Sequence, residues 1–70
     1  MNNQNERKRI GAMIASIRIK KGYTQDELAE RSGLLRPHIS RIENGRYSVG
    51  LDTLAAIADG LGVKIDFTEK

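Results

Sequence analysis

The sequence predicts an all-α fold, a compact bundle of four main helices followed by a short C-terminal β-strand. In four successive segments the apolar residues recur at steps of three and four, which is the period of an amphipathic helix. Glycine, proline and capping residues stand between these segments, where helices begin and end. Seventy residues are too few for two independent cores. We therefore expect one domain over residues 1–70.

The boundaries of the first two helices are predicted from their capping residues. The first helix covers about residues 4–21, and its apolar side consists of Ile10, Met13, Ile14 and Ile17. Gly22 ends it, because glycine adopts the left-handed conformation most easily. Thr24 and Glu27 form a capping box, so the second helix begins directly after Thr24. Gly33 ends this short helix.

The third helix is predicted to begin near Arg36. Pro37 has a fixed φ angle and no amide hydrogen, so it fits only the first turn of a helix. Leu35 precedes this turn and offers no side-chain cap. Asn44 and Gly45 end the helix after about two turns. The buried side of this helix is predicted to consist of Ile39 and Ile42.

The fourth helix runs from about residue 51 to residue 61. Its apolar stripe is predicted to consist of Leu51, Leu54, Ala55, Ile57, Ala58 and Leu61. Gly50 precedes the helix and Gly62 ends it. Two short helices followed by this longer one give the chain its predicted bundle.

The last segment has a different period. Over about residues 63–68, Val63, Ile65 and Phe67 alternate with polar residues, which is typical of a half-buried strand. No second strand is predicted elsewhere in the chain. A lone strand leaves its amides and carbonyls unpaired, so we expect it to pair with the same strand of another subunit. The sequence therefore predicts a homodimer.

Composition and charge favour an anionic partner and exclude several classes of site. The net charge is +3, and residues 1–21 hold six basic residues against one acidic residue. There is no cysteine, and the single histidine, His38, gives zinc no ligand set. No serine or histidine stands in a recognisable catalytic pattern. We therefore expect no metal, no cofactor and no enzymatic activity.

No segment of the sequence has the character of a signal peptide or of a membrane span. The first ten residues are polar, and the longest aliphatic run covers only residues 54–58. We therefore expect a cytoplasmic protein with no membrane partner.

Three motifs in order carry a family resemblance. TQxxLA opens the second helix, ISxIENG ends the third, and LxTLxxIAxxLGV covers the fourth. With this spacing the chain resembles the Cro/C1-type helix-turn-helix family, also called XRE-like, which includes phage repressors such as the lambda repressor. The resemblance covers about residues 8–63, and its helix-turn-helix unit covers about residues 24–45. It implies a regulator of transcription, most simply a repressor, that binds double-stranded DNA through the third helix.

The resemblance also implies roles for individual residues. The residues implied to contact bases in the major groove are Arg36, Pro37, His38, Ser40 and Arg41. Those implied to contact backbone phosphates are Thr24, Gln25, Asn44, Arg46 and Tyr47. Gln25 is also implied to brace the third helix. Arg18 and Glu43 are implied to form a structural ion pair beneath the recognition unit.

A second class of function remains open from the sequence. Antitoxins of this family bind a toxin protein and repress their own operon, and the terminal strand with Phe67 is compatible with such a partner. A neighbouring gene for a toxin would favour that alternative.

Overall fold

Four α-helices account for most of residues 3–69, the part of the chain that the computed structural model describes. In chain order they are α1 (Gln4–Lys20), α2 (Gln25–Ser32), α3 (Arg36–Glu43) and α4 (Leu51–Leu61). Each begins and ends within one or two residues of the predicted position. None of the four helices combines the length and the apolar character that a bilayer-crossing segment requires.

The predicted capping box at the start of α2 is confirmed. The Thr24 hydroxyl accepts a hydrogen bond from the amide of Glu27 at 3.0 Å, and the Thr24 amide donates to the Glu27 carboxylate at 2.8 Å. The bonds from the Thr24 amide, and then from its hydroxyl, hold the pKa of Glu27 below its usual value, because they favour the charged carboxylate. At the other end, Gly33 has a φ of 71°, as the predicted helix stop requires.

The start of α3 depends on Pro37 and not on a side-chain cap. Leu35 occupies the cap position and its side chain makes no capping hydrogen bond. Pro37 lies within the first turn of α3, where its ring fixes a helical φ angle and its missing amide hydrogen breaks no bond. This beginning near Arg36 agrees with the prediction.

All four helices contribute to the core. α2 packs against both α3 and α4, and α1 packs against α3. The largest fully buried side chains are Leu28, Ile39, Ile42, Ile57 and Leu61. Ile14 of α1 is also buried. The apolar stripes were predicted too wide at three positions: Met13 is about half exposed, Leu51 is 73% exposed at the first turn of α4, and Ala55 is exposed as well.

Gly11 marks the closest approach of α1 to the end of α3, a contact that the sequence analysis did not identify. Gly11 is buried. A Cβ atom there would lie 2.2 Å from the carbonyl oxygen of Ile42 and 2.8 Å from that of Glu43. The absence of a side chain thus lets α1 cross directly over the last turn of α3.

The predicted C-terminal strand is not present in the described chain. Residues 63–69 form no helix and no strand, because no other strand exists there to supply a hydrogen-bonding partner. The amide of Val63 instead donates to the carbonyl of Ala58 at 2.9 Å, which completes the C-terminal cap of α4. Ile65 is 45% exposed and Phe67 is 99% exposed. Half-burial of this segment is therefore confirmed only for Val63.

The residues that follow α4 lie beside an apolar groove. This groove has a volume of about 160 Å³ and is formed by side chains of α1, α4 and residues 63–66. Ile17 and Leu54 line it from the two helices. Phe67 does not contribute to its walls. The C-terminal segment thus covers part of the groove but leaves its own aromatic ring in solvent.

We expect Gly11→Ala to lower the free energy of unfolding by about 1–3 kcal/mol, because the added methyl group forces α1 away from the end of α3. Urea unfolding followed by circular dichroism measures the difference. Gly50→Ala is the matched control, since a Cβ atom at Gly50 meets nothing within 4 Å and its φ angle is −71°. Equal destabilisation by the two substitutions would contradict the close crossing.

Candidate nucleic-acid interface

The exposed face of α3 carries two guanidinium groups. Arg36, Pro37 and Arg41 are exposed and Ser40 is half-buried. Their spacing of one, three and four residues puts them on one side of the helix, opposite the buried isoleucines of α3. Four of the five residues predicted to contact bases therefore share one face.

His38, the fifth predicted base-contacting residue, lies on the flank of α3 and stacks on a ring from the following loop. The ring centroids of His38 and Tyr47 are 5.6 Å apart, and their planes differ by 22°. Stacking at this distance is favourable for aromatic pairs. The contact was not predicted, because the two residues are nine positions apart and belong to different elements. It links the start of α3 to the loop at its end.

Arg36 has a weakly held acidic neighbour on α2. Its Nε atom is 3.7 Å from a carboxylate oxygen of Asp26. The two side chains are 61% and 77% exposed, so solvent screens their attraction and the pair contributes little to stability. The side chain of Arg36 therefore remains available to a ligand.

A hydrogen-bonded ion pair joins α1, α2 and the end of α3. Arg18 Nε and Nη2 donate to the two carboxylate oxygens of Glu43 at 2.7 and 3.1 Å. Gln25 Nε2 donates to the same carboxylate at 3.0 Å, and Arg18 Nη1 donates to the carbonyl of Tyr23 at 2.8 Å. The side chains of Arg18 and Glu43 are only 13% and 5% exposed. The ion pair implied by the resemblance is thus present, and Gln25 braces α3 through it.

The start of α2 keeps backbone amides free for an anion. The amides of Thr24 and Glu27 are used by the capping box. Among the described hydrogen bonds, the amides of Gln25 and Asp26 have no partner. A helix N-terminus with free amides is suited to a phosphate group. The amide of Thr24, by contrast, is already occupied.

The loop that joins α3 to α4 covers residues 44–50 and is called the α3–α4 loop below. Gly45 has a φ of 71°, and the amides of Asn44, Gly45 and Arg46 all donate to carbonyls of α3. These three amides are therefore committed to the C-terminal cap of α3. Contacts from Asn44 and Arg46 to an anion must come from their exposed side chains. Tyr47 is 40% exposed and lies next to them.

Other chemistry has little support at this surface. Among residues 3–69, no three histidine or acidic side chains come together in a way that would hold a metal ion. The strongest polar cluster is the ion pair of Arg18 and Glu43, which is already saturated by its internal hydrogen bonds. The geometry is that of a binding surface.

We expect Arg18→Met to lower the free energy of unfolding by about 3 kcal/mol, because it leaves the Glu43 carboxylate buried without its cation. The double variant Arg18→Met/Glu43→Leu should recover part of this loss, since it leaves no unpaired charge. Urea unfolding of the single and double variants measures both effects. Arg9→Met is the control, because Arg9 pairs with Glu6 in solvent. If the free energy of unfolding falls as little as it does in the control, the ion pair does not stabilise the packing of α1, α2 and α3.

Comparison with known proteins identifies the family to which the chain is similar. A family model described as helix-turn-helix matches residues 14–67. The immunity repressor protein of Bacillus phage phi105 is 39% identical over 56 residues, which are 80% of this chain and 39% of that protein. The HTH-type transcriptional regulator y4dJ of Sinorhizobium fredii is 40% identical over 57 residues, which are 81% of this chain and 74% of that protein. The chain thus spans about two fifths of the phage repressor and about three quarters of the rhizobial regulator.

The fold has a close counterpart of known structure. The restriction-modification controller protein C.AhdI from Aeromonas hydrophila superposes with a TM-score of 0.84 at 28% identity. The match covers 86% of this chain and 91% of the controller. These relatives are regulators and not enzymes. The chain belongs to the Cro/C1-type helix-turn-helix family of DNA-binding transcriptional regulators.

Proposed function

We propose that this protein represses transcription by binding an inverted-repeat operator in double-stranded DNA as a homodimer. The observation that carries the proposal is the exposed face of α3, where Arg36 and Arg41 stand on a helix fixed from below by a buried ion pair. A helix of two turns fits the major groove, which is about 12 Å wide. Repression follows where the operator overlaps a promoter.

Arg36 and Arg41 are the main reading residues in this proposal. A guanidinium group donates two parallel hydrogen bonds to O6 and N7 of guanine, and such a pair discriminates against a wrong base by about 1–3 kcal/mol. Pro37 has no donor and contributes apolar contact, for example to a thymine methyl group. Ser40 and His38 contact the neighbouring base edges. In this proposal the stack of His38 on Tyr47 keeps the imidazole beside the major groove.

Residues on both sides of α3 hold the duplex in register through its phosphates. At the start of α2 the free amides of Gln25 and Asp26 bind one phosphate, with the Thr24 hydroxyl at the same helix end. Beyond α3 the side chains of Arg46 and Tyr47, together with that of Asn44, bind a second phosphate. The first group lies on α2, which the Glu43 carboxylate ties to the end of α3, and the second lies in the loop that follows α3.

The dimer interface in this proposal is the C-terminal segment with Val63, Ile65 and Phe67. The support is the exposed ring of Phe67, which no other described part of the chain covers. Pairing of two such segments around a twofold axis would supply the strand partner that one chain lacks. The two copies of α3 would then enter successive major grooves about 34 Å apart.

The antitoxin alternative would use the same exposed segment to bind a toxin protein. The named relatives are a phage immunity repressor and transcriptional regulators, and these favour the operator-binding repressor. No feature of the surface specifies a toxin.

We expect Arg36→Ala to abolish the preference for one base position in each half-site, at a cost of about 1–3 kcal/mol for the preferred sequence. Selection of bound duplexes from a random pool, followed by sequencing, measures the change. Arg46→Ala is the control, because loss of a phosphate contact weakens all sequences alike. An unchanged consensus after Arg36→Ala would remove Arg36 from the reading surface.

We expect Phe67→Ser to weaken dimerisation without lowering the stability of the monomer. The reason is that Phe67 is 99% exposed, so its ring is not packed against the rest of the described chain. Sedimentation equilibrium at micromolar concentration measures the association. Thr68→Ser is the control, because Thr68 is one of the polar residues that alternate with Val63, Ile65 and Phe67. If Phe67→Ser and the control dimerise as strongly as the wild type, the C-terminal segment is not the interface.

A further inference from the structure

The start of α1 lies directly against the α3–α4 loop. A Cβ atom built at Gly45 would stand 2.8 Å from Cγ of Lys8 and 2.9 Å from its Cα. Gly45 is buried, so this contact is part of the packed structure and not a chance approach. The basic residues around Lys8 are therefore neighbours of the loop proposed above to bind a phosphate.

The basic residues of α1 differ in whether an acidic partner neutralises them. Arg9 donates two hydrogen bonds to Glu6 at 2.9 and 2.7 Å, and Arg18 is paired with Glu43. Arg7 and Lys8 have no acidic partner among the described residues. Two uncompensated positive charges therefore stand beside the α3–α4 loop, which adds a third at Arg46.

Arg7 in addition lacks an acceptor that its chemistry requires. Its Nε atom is buried and has no hydrogen-bond partner among the described residues. A buried donor without a partner costs free energy and is rare in native structures. The same side chain lines a surface cleft of about 200 Å³ together with Tyr47 and Ser48 of the α3–α4 loop. The Nε atom itself is out of solvent, so an anionic oxygen in the cleft can meet the half-buried guanidinium group only through its other nitrogens.

The acidic residue at this cleft does not oppose an anion with a full charge. Glu6 also lines the cleft, but both of its carboxylate oxygens accept hydrogen bonds from the guanidinium of Arg9. The cleft thus combines one neutralised acid with the cation of Arg7, and Lys8 stands next to it against Gly45 of the α3–α4 loop.

We propose that Arg7 and Lys8 bind a DNA backbone phosphate next to the one contacted by Arg46 and Tyr47. The proposal rests on the proposed function and adds α1 to the surface that holds the duplex. It extends the footprint of each protomer beyond the helix-turn-helix unit, along the strand that passes the α3–α4 loop. These contacts are electrostatic and carry no base specificity.

Salt dependence of operator binding tests the proposal, with Lys8→Gln as the first variant. Each lost phosphate contact reduces the slope of log K against log salt by about 0.9. A homodimer loses two such contacts, one in each protomer, so the affinity ratio of wild type to Lys8→Gln should shrink about twelvefold between 50 and 200 mM salt. Lys20→Gln is the matched control, because it removes the same charge from an exposed residue at the opposite end of α1. Arg7→Gln should act as Lys8→Gln does.

A duplex with single methylphosphonate substitutions then locates the contact. Neutralising the proposed phosphate should weaken the wild type more than Lys8→Gln, which keeps only the contact from Arg7, whereas neutralising the other phosphates should weaken both alike. Equal slopes for Lys8→Gln and Lys20→Gln would overturn the proposal. It would also be overturned if inorganic phosphate shifted the NMR signals of Arg7 and the operator duplex did not, since that result identifies a free-anion site.

The two proposals fail in different ways. If Arg36→Ala relaxes the consensus while Lys8→Gln leaves the salt slope unchanged, only the contact from α1 is wrong. If Arg36→Ala leaves the consensus unchanged, the proposed function itself is at fault.

Discussion

One buried carboxylate organises the surface that is proposed to bind DNA. Glu43 ends α3, and it accepts hydrogen bonds from Arg18 of α1 and from Gln25 of α2. Three helices therefore meet at a single charged group that is 5% exposed. A buried charge is tolerated only when its hydrogen bonds are satisfied, so the relative positions of these helices are tightly constrained. The orientation of the α3 face follows from this constraint more than from the short helix itself.

Close packing at two glycines adds a second constraint on the same region. Gly11 lets α1 cross over the last turn of α3, and Gly45 lets the α3–α4 loop rest on Lys8. Side chains at either position would collide with backbone atoms. The end of α3 is thus enclosed from two directions, and the charged residues of α1 are brought to the loop. An 8-residue helix has little stability alone, so these contacts determine where it lies.

The helices were predictable because their boundaries depend on local chemistry. The capping pair of Thr24 and Glu27, the left-handed residue Gly33 and the ring of Pro37 each act within one turn of the chain. The prediction of a C-terminal strand was wrong for the single chain, and the reason is related. Alternation of apolar residues indicates a possible strand, but a strand exists only where a partner supplies hydrogen bonds.

Contacts between elements were predictable only where the family pattern supplied them. The pairing of Arg18 with Glu43 came from the resemblance, and no local rule relates residues 25 positions apart. The stack of His38 on Tyr47, the neighbour Asp26 beside Arg36 and the crossing at Gly11 had no signal in the sequence. Each depends on distances that are set when the helices pack.

The way α3 begins has a consequence for recognition. A polar cap at position 35 would accept from the amides two or three residues on, but Pro37 has no amide hydrogen and the amide of His38 already donates to the carbonyl of Leu35 at 3.0 Å. With Leu35 at the cap position and Pro37 in the first turn, rigidity comes from a covalent ring. The first turn of α3 is therefore preorganised, so little conformational entropy would be lost if a ligand docked on it.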